Sequence, residues 1–174
     1  MTTVTPTTPR FVTLLILVLL PAIAAAQNDK SETDALRGLS TVDLVVEAFG
    51  ELPDPKQASL AMRTAIEARL GLNGIKPEYD PVKAATLPRL HLIAYVVRSD
   101  DFKHYAYDVS LSVSRMVQMP VPPENRTANI RATVWRKSVL RIVLPGNTQR
   151  MREAMDELMR AFLIDYTAAN PKTR

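Results

Sequence analysis

The chain has two histidines, His91 and His104, which are the first candidates for a metal site or a general base. The residues between them predict a β-hairpin that turns near residue 100, so that His91 faces Ser110. The histidines would then lie about six residues, or roughly 20 Å, apart along the ladder, too far for one metal ion. Asp100 and Asp101 lie nearer to His104, but acidic residues at that position are typical of a solvated hairpin turn. The histidines therefore predict no metal site.

Two further groups could supply a nucleophile or an acid and base. Ser110, Ser112 and Ser114 alternate along one predicted strand, and Asp43 and Glu47 share a face of another. Neither group belongs to a G-x-S-x-G or H-E-x-x-H motif, and the five glycines form no phosphate-binding loop. The absence of cysteine excludes a thiol nucleophile, a thiolate zinc site and a disulfide. The sequence thus predicts no catalytic residue, no metal and no cofactor.

The amino terminus predicts export. Arg10 precedes the apolar run from Phe11 to Leu20, and Ala24 and Ala26 fit the small residues required by signal peptidase. The alternative is a membrane anchor, but Phe11 to Ala26 is 16 residues, whereas a spanning helix needs about 20. We therefore expect cleavage after Ala26, a periplasmic or secreted protein, and no stable membrane span afterwards.

Composition limits the remaining possibilities. The chain has 174 residues, 47% of them hydrophobic, which favours one folded domain. Its formal net charge of +4 is modest, and no dense basic stripe is present, so a nucleic-acid partner is not expected. Asn125-Arg126-Thr127 matches the glycosylation sequon, a short motif that often occurs by chance.

The elements that would position these residues follow from hydrophobic periodicity. Tyr105 to Met119 alternates apolar with small or polar residues, which predicts a half-buried central strand. An α+β two-layer sandwich of order β-α-β-β-β-α is expected, with a mostly antiparallel sheet and both helices on the face of Tyr107 and Leu111. The predicted strands are Val42–Phe49, Leu90–Val97, His104–Met119 and a fourth from Thr127 to Leu144, which is either one bulged strand or two short ones. The predicted helices are Gln57–Leu72 and a last helix that Asn147 caps and that carries Met151, Met155, Leu158 and Phe162 on one stripe.

This layout divides the chain into a signal peptide (1–26), a flexible lead-in (27–38), one α+β domain (39–170) and a short tail (171–174). It also leaves one sheet face without helices. If the even-numbered residues from Ile130 to Leu144 point toward the helices, the odd-numbered residues of this strand point away from them. The predicted partner-binding surface then comprises Arg131, Trp135, Lys137 and Arg141, together with Ser110 and Ser112 of the neighbouring strand.

Three short motifs add a resemblance: E-x-R-L-x-x-x-G-I from Glu67 to Ile75, the aromatic strand at Tyr105, and the Trp135 strand followed by a helix ending F-L-I-D-Y-T-A-A-N-P. Together they resemble small uncharacterised exported proteins of Gram-negative bacteria. The layout is similar to α/β envelope domains such as the amino-terminal domain of TolB. The resemblance implies periplasmic placement and a non-catalytic role.

We therefore expect an exported cell-envelope binding or assembly module. Its partner would be an envelope protein or an anionic envelope component. The alternatives are a hydrolase with an unrecognised Asp/Ser/Tyr site and a structural homodimer that pairs sheet edges or uncovered faces.

Overall fold

A computed structural model describes residues 31–98, 104–123, 126–144 and 149–171. The predictions for the signal segment, Asp100, Asp101, Asn125 and Asn147 lie outside these residues. The elements are α1 (31–34), β1 (Thr41–Gly50), α2 (Pro55–Leu72), β2 (Lys76–Pro77), α3 (Pro81–Ala84), β3 (Arg89–Arg98), β4 (Tyr105–Val121), β5 (Arg126–Val143) and α4 (Gln149–Ala169). The α+β class is confirmed.

The sheet has the order β2-β1-β3-β4-β5 and is mixed. β1 pairs in parallel with both β2 and β3, whereas β3, β4 and β5 form an antiparallel meander. β1, which carries apolar residues on both of its sides, thus lies inside the sheet between β2 and β3. β2 and α3 lie in the proline-containing segment between α2 and β3, where Asp80 caps α3 by accepting hydrogen bonds from Val82 and Lys83.

α2 forms as the sequence predicts, because a cap and an apolar stripe coincide. The Asp54 side chain accepts a hydrogen bond of 2.9 Å from the Gln57 backbone N–H, which satisfies one of the free donors of the first turn. Met62, Ile66 and Leu70 recur four residues apart and are buried against the sheet.

α4 packs beside α2 on the same sheet face. Phe162 of α4 meets the Trp135 ring of β5 edge-on at 5.5 Å between centroids. Arg69 of α2 donates to Asp156 of α4 at 2.6 Å. Leu111 of β4 is fully buried in the same core cluster, so the two-layer arrangement and the inward direction of Leu111 are confirmed.

The fourth predicted strand is one long strand with a bulge. Val113 pairs with Trp135 and Ser114 pairs with Thr133, so that Val134 is an extra residue without a partner in the ladder. A bulge of this kind changes which side successive residues face. The bulge lies two residues before the polar segment 136–138, where the break in the hydrophobic pattern of this strand predicts an irregularity.

The folded unit begins earlier than the sequence predicts. Leu36 and Leu39, at the end of the predicted flexible lead-in and the start of the domain, are both buried in the core. Asn170, just beyond α4, accepts a hydrogen bond from the Gly38 N–H at 2.6 Å and donates one to the Leu36 carbonyl at 3.1 Å. The prediction that residues up to 38 are flexible is therefore wrong for the described part from residue 31.

Candidate protein-binding face

The face of the sheet opposite α2 and α4 is defined by register and burial. On β4, Val109, Leu111 and Val113 are buried toward the helices, so Asp108, Ser110, Ser112 and Ser114 point to the other side. We call this other side, formed by β1, β3, β4 and β5, the uncovered face.

The prediction that Trp135 lies exposed on the uncovered face is wrong. Its side chain is 1% exposed, and its Nε1–H donates to the Asp165 carboxylate of α4 at 2.9 Å. The physical reason is the bulge at Val134, which turns Trp135 toward the helices. A buried Trp cannot serve as the anchor of a docking surface without unfolding the local structure.

The bulge at Val134 also places two of the predicted cations on the side of the helices. Arg141 lies on the helix side, where it pairs with Glu157 of α4 at 3.1 Å. Lys137 is the register partner of the buried Leu111 and therefore also lies on the helix side. The prediction that Lys137 and Arg141 face away from the helices is wrong.

The other predicted residues do lie on the uncovered side. Arg131 precedes the bulge, and its guanidinium donates to the backbone carbonyls of Leu87 at 3.0 Å and Ala85 at 2.7 Å. Arg131 is half-buried rather than exposed, and two of its guanidinium nitrogens are already engaged by backbone carbonyls. Ser110 and Ser112 point away from the core as predicted, although Ser110 is nearly covered by its neighbours.

One half of the uncovered face is polar and carries paired charges. Asp43 of β1 accepts from Arg89 of β3 at 2.7 Å. The Glu47 carboxylate lies 2.7 Å from Nε2 of His91. These pairs are part-buried, and they fix the side chains of two parallel strands against each other.

Ser112 extends this line of polar groups to β4. The register places Ser112 directly opposite His91, where the prediction from sequence placed Ser110. Cross-strand partners have Cβ atoms about 5 Å apart. A serine, a histidine and an acid therefore occur in series across three strands, an order typical of nucleophilic hydrolases. The backbone N–H groups around them belong to the strand ladders, however, so no oxyanion hole is formed by these strands.

The other half of the uncovered face is largely apolar, with the exposed carboxylate of Asp108 in its middle. Leu140 and Ile142 of β5 are 71% and 73% exposed, and Phe49, Tyr95 and Val97 are each about half exposed. Register joins these residues into two adjacent cross-strand rows. The first row is Phe49, Tyr95, Asp108 and Leu140, and the second is Val97, Ala106 and Ile142. We call these two rows the apolar rows.

The sequence contains a signal for the apolar rows that the prediction assigned to the core. Leu140, Ile142 and Leu144 alternate, and alternation identifies one face of a strand without saying which face is buried. The structure leaves all three exposed. Phe49 and Tyr95 could have been placed beside them only with the parallel register of β1 and β3, which local patterns do not encode.

Concave sites lie on the helix side of the sheet. One cavity of about 400 Å³ is lined by Tyr105, Tyr107, Val143 and Met151, among others. Desolvation by burial raises the pKa of the Tyr107 hydroxyl, an effect partly offset by the positive charge of Arg141. Within the described ranges, no three His, Asp or Glu side chains are close enough together to bind a metal ion.

Comparison with known proteins provides no family. No protein-family model matches the chain, and no curated protein shows significant similarity to it. In the part of the chain that the structure describes, no helix combines the length and apolar character needed to cross a membrane.

Proposed function

We propose that the protein is an exported cell-envelope binding or assembly module that binds another protein through its uncovered face. The observation that supports this most strongly is the pair of apolar rows. Exposed apolar residues that are contiguous across several strands are typical of interaction sites, whereas single exposed apolar residues need no explanation. The rows lie on rigid paired strands, so binding would require little ordering of the backbone.

A protein partner fits this face better than an anionic envelope component. Two of the cations predicted to form the surface, Lys137 and Arg141, lie on the helix side, and Arg131 is held by two backbone carbonyls. In the apolar rows, the exposed residues are aromatic and aliphatic apart from Asp108. Aromatic residues in the centre of a patch, surrounded by polar groups, are characteristic of protein interfaces.

Export is the second part of the proposal, supported by the apolar run from Phe11 to Leu20 and by the Ala24-x-Ala26 pattern. The protein should be expressed as the full chain and its mass measured after fractionation. A mature form that begins at Gln27 is the expected result. An intact Phe11 to Leu20 segment in the membrane fraction would show that this part of the proposal is wrong.

Site-specific photo-crosslinking tests the binding face. A benzophenone amino acid is introduced at Ile142, in the apolar rows, and separately at Leu60, which is similarly exposed on the outer side of α2. We expect a discrete protein adduct from position 142 and none from position 60. If position 142 gives no adduct and Tyr95 likewise gives none, the uncovered face is not a protein-binding surface.

Hydrolysis at Ser112 is a second candidate, favoured by the Glu47–His91 contact and by the position of Ser112 opposite His91. A fluorophosphonate probe tests it, because such probes label activated serines covalently. If this candidate is right, the wild-type chain is labelled, and Ser112→Ala and His91→Ala are not. Absence of labelling in the wild type would leave the binding module as the function.

A further inference from the structure

The charges of the uncovered face differ between β1 and β5, the first and last of the four strands that form it. β1 contains Asp43 and Glu47 and no basic residue. β5 contains no acidic residue and five cations: Arg126, Arg131, Arg136, Lys137 and Arg141. Of these, Arg136 is exposed on the uncovered face, as the register partner of Ser112. On the uncovered face itself, β1 therefore presents Asp43 and Glu47, whereas β5 presents Arg131 and Arg136.

The first apolar row has a large apolar residue at each end and polar groups in the middle. Phe49 of β1 lies at one end and Leu140 of β5 at the other. Between them, Tyr95 and Asp108 are register partners on β3 and β4. Each end thus carries a large apolar group, and the middle carries a phenol donor beside a carboxylate acceptor.

We propose that the partner bound by the uncovered face is a second copy of this chain, an inference that rests on the proposed function. The two copies pack face to face about a two-fold axis that runs parallel to the strands between β3 and β4. This rotation exchanges β1 with β5 and β3 with β4 while keeping each row opposite itself. Phe49 then meets Leu140 of the second copy, and Tyr95 meets Asp108 of the second copy.

The rotation also matches the charges. It places Arg136 of one copy over β1 of the other, opposite Val45 and next to Glu47. Asp108 and Arg136 form no ion pair with any other residue in the described ranges. A second copy places Tyr95 opposite Asp108 and Glu47 beside Arg136. An isologous interface requires this reciprocity, in which one residue contacts a second and the second contacts the first.

The alternative pairing of two β5 edges is opposed by charge. It would bring together two strands that each carry five cations and no acidic residue. Like charges directly opposite each other across a strand pair are destabilising. Face-to-face packing avoids this contact, because it places β5 over β1.

The available area suits a reversible dimer. Four strands about 4.8 Å apart, over a paired length of roughly 25 Å along each strand, give a flat area of about 500 Å² per copy. The total of about 1,000 Å² is at the lower limit for a specific interface. We therefore expect dissociation in the micromolar range rather than an obligate dimer.

Complementary charge variants test both the partner and the geometry. Phe49→Glu and Leu140→Arg are each analysed by sedimentation velocity between about 1 and 200 µM, the range appropriate to an interface of this size. The control is Leu60→Arg, an exposed apolar position on α2. All proteins are produced from the full chain, and circular dichroism verifies that they are folded.

The wild type and Leu60→Arg should dimerise with the same constant, and each face variant should dimerise at least about tenfold more weakly. An equimolar mixture of Phe49→Glu and Leu140→Arg should form a heterodimer, since the introduced carboxylate and guanidinium then face each other while the native Phe–Leu contact is kept. A wild type that stays monomeric, or a mixture that forms no heterodimer, overturns the inference. If the chain is monomeric but crosslinks another protein from position 142, the proposed function stands without this inference.

Discussion

The burial of Trp135 provides the most direct test of the structure, because the sequence predicts the opposite. An aromatic side chain buries about 150–250 Å², and Trp135 is 1% exposed. At about 25 cal/mol per Å², removal of this side chain loses about 4–6 kcal/mol of burial free energy as an upper limit. Measured Trp→Ala costs are about 3–5 kcal/mol. We expect Trp135→Ala to lower the free energy of unfolding by that amount.

The hydrogen bond to Asp165 adds a smaller, separable contribution. Trp135→Phe keeps most of the contact with Phe162 but loses the donor to the carboxylate. Asp165 is only partly buried, so water can solvate the carboxylate in the variant. We expect Trp135→Phe to cost about 1–3 kcal/mol, the range for a hydrogen bond to a charged group together with lost packing.

Urea unfolding followed by far-UV circular dichroism measures these differences. Fluorescence cannot be used across the series, because Trp135 is the chain's single tryptophan. The control is Leu140→Ala, which should change stability by no more than about 0.5 kcal/mol because Leu140 is largely exposed. Measurements at a concentration where the chain is monomeric exclude the loss of a dimer contact.

The outcomes discriminate between the two assignments of β5. A loss of less than about 1 kcal/mol for Trp135→Ala, or an equal loss for Leu140→Ala, would refute the bulge at Val134 as the element that orients the strand. A large loss at Trp135 alone would establish that odd positions after the bulge face α4.

Three further predictions concern the core, the amino-terminal segment and alkaline stability. Leu111→Ala should cost about 2–5 kcal/mol in urea unfolding and Ser112→Ala no more than about 0.5, because only Leu111 faces the core; equal losses would mean that both faces are covered. Asn170→Ala should lower the free energy of unfolding by about 1–3 kcal/mol and increase protease cleavage near Leu36, because it removes the hydrogen bonds to Leu36 and Gly38. Unchanged cleavage would contradict the role of Asn170 in holding the amino-terminal segment. Burial raises the pKa of Tyr107 in the folded state, so its contribution is fully present below the unfolded pKa of about 10 and is lost as pH rises through the folded value. Tyr107→Phe should therefore lose less stability than the wild type in urea titrations above about pH 10, and parallel losses would contradict the assignment.

Local patterns predicted much of the fold. The cap at Asp54, the stripe of Met155, Leu158 and Phe162 in α4, and the alternation around Leu111 each fix an element through contacts close in sequence. The parallel pairing of β1 with β3 depends on residues more than 40 positions apart, such as Asp43 and Arg89. No local pattern encodes that register, so the Glu47–His91 contact and the first apolar row could not be predicted.

The candidate site was predicted in location but not in composition. The uncovered face exists where the sequence predicts it, and Ser110 and Ser112 lie on it. Trp135 and Arg141 do not, because a one-residue shift in a strand exchanges the two faces. After Val134, each side of β5 carries both apolar and polar or charged residues, so periodicity alone cannot select the buried side.

The orientation of β5 also accounts for the apolar residues left outside. Once Trp135 packs on Phe162 and donates to Asp165, alternation requires Leu140 and Ile142 to point away from the core. Polar side chains at those two positions would be compatible with a solvated face, since neither residue is buried by α2 or α4. The interface proposed above would account for their apolar character, because it covers Leu140 with Phe49 of a second copy. It uses the same strand orientation that buries Trp135.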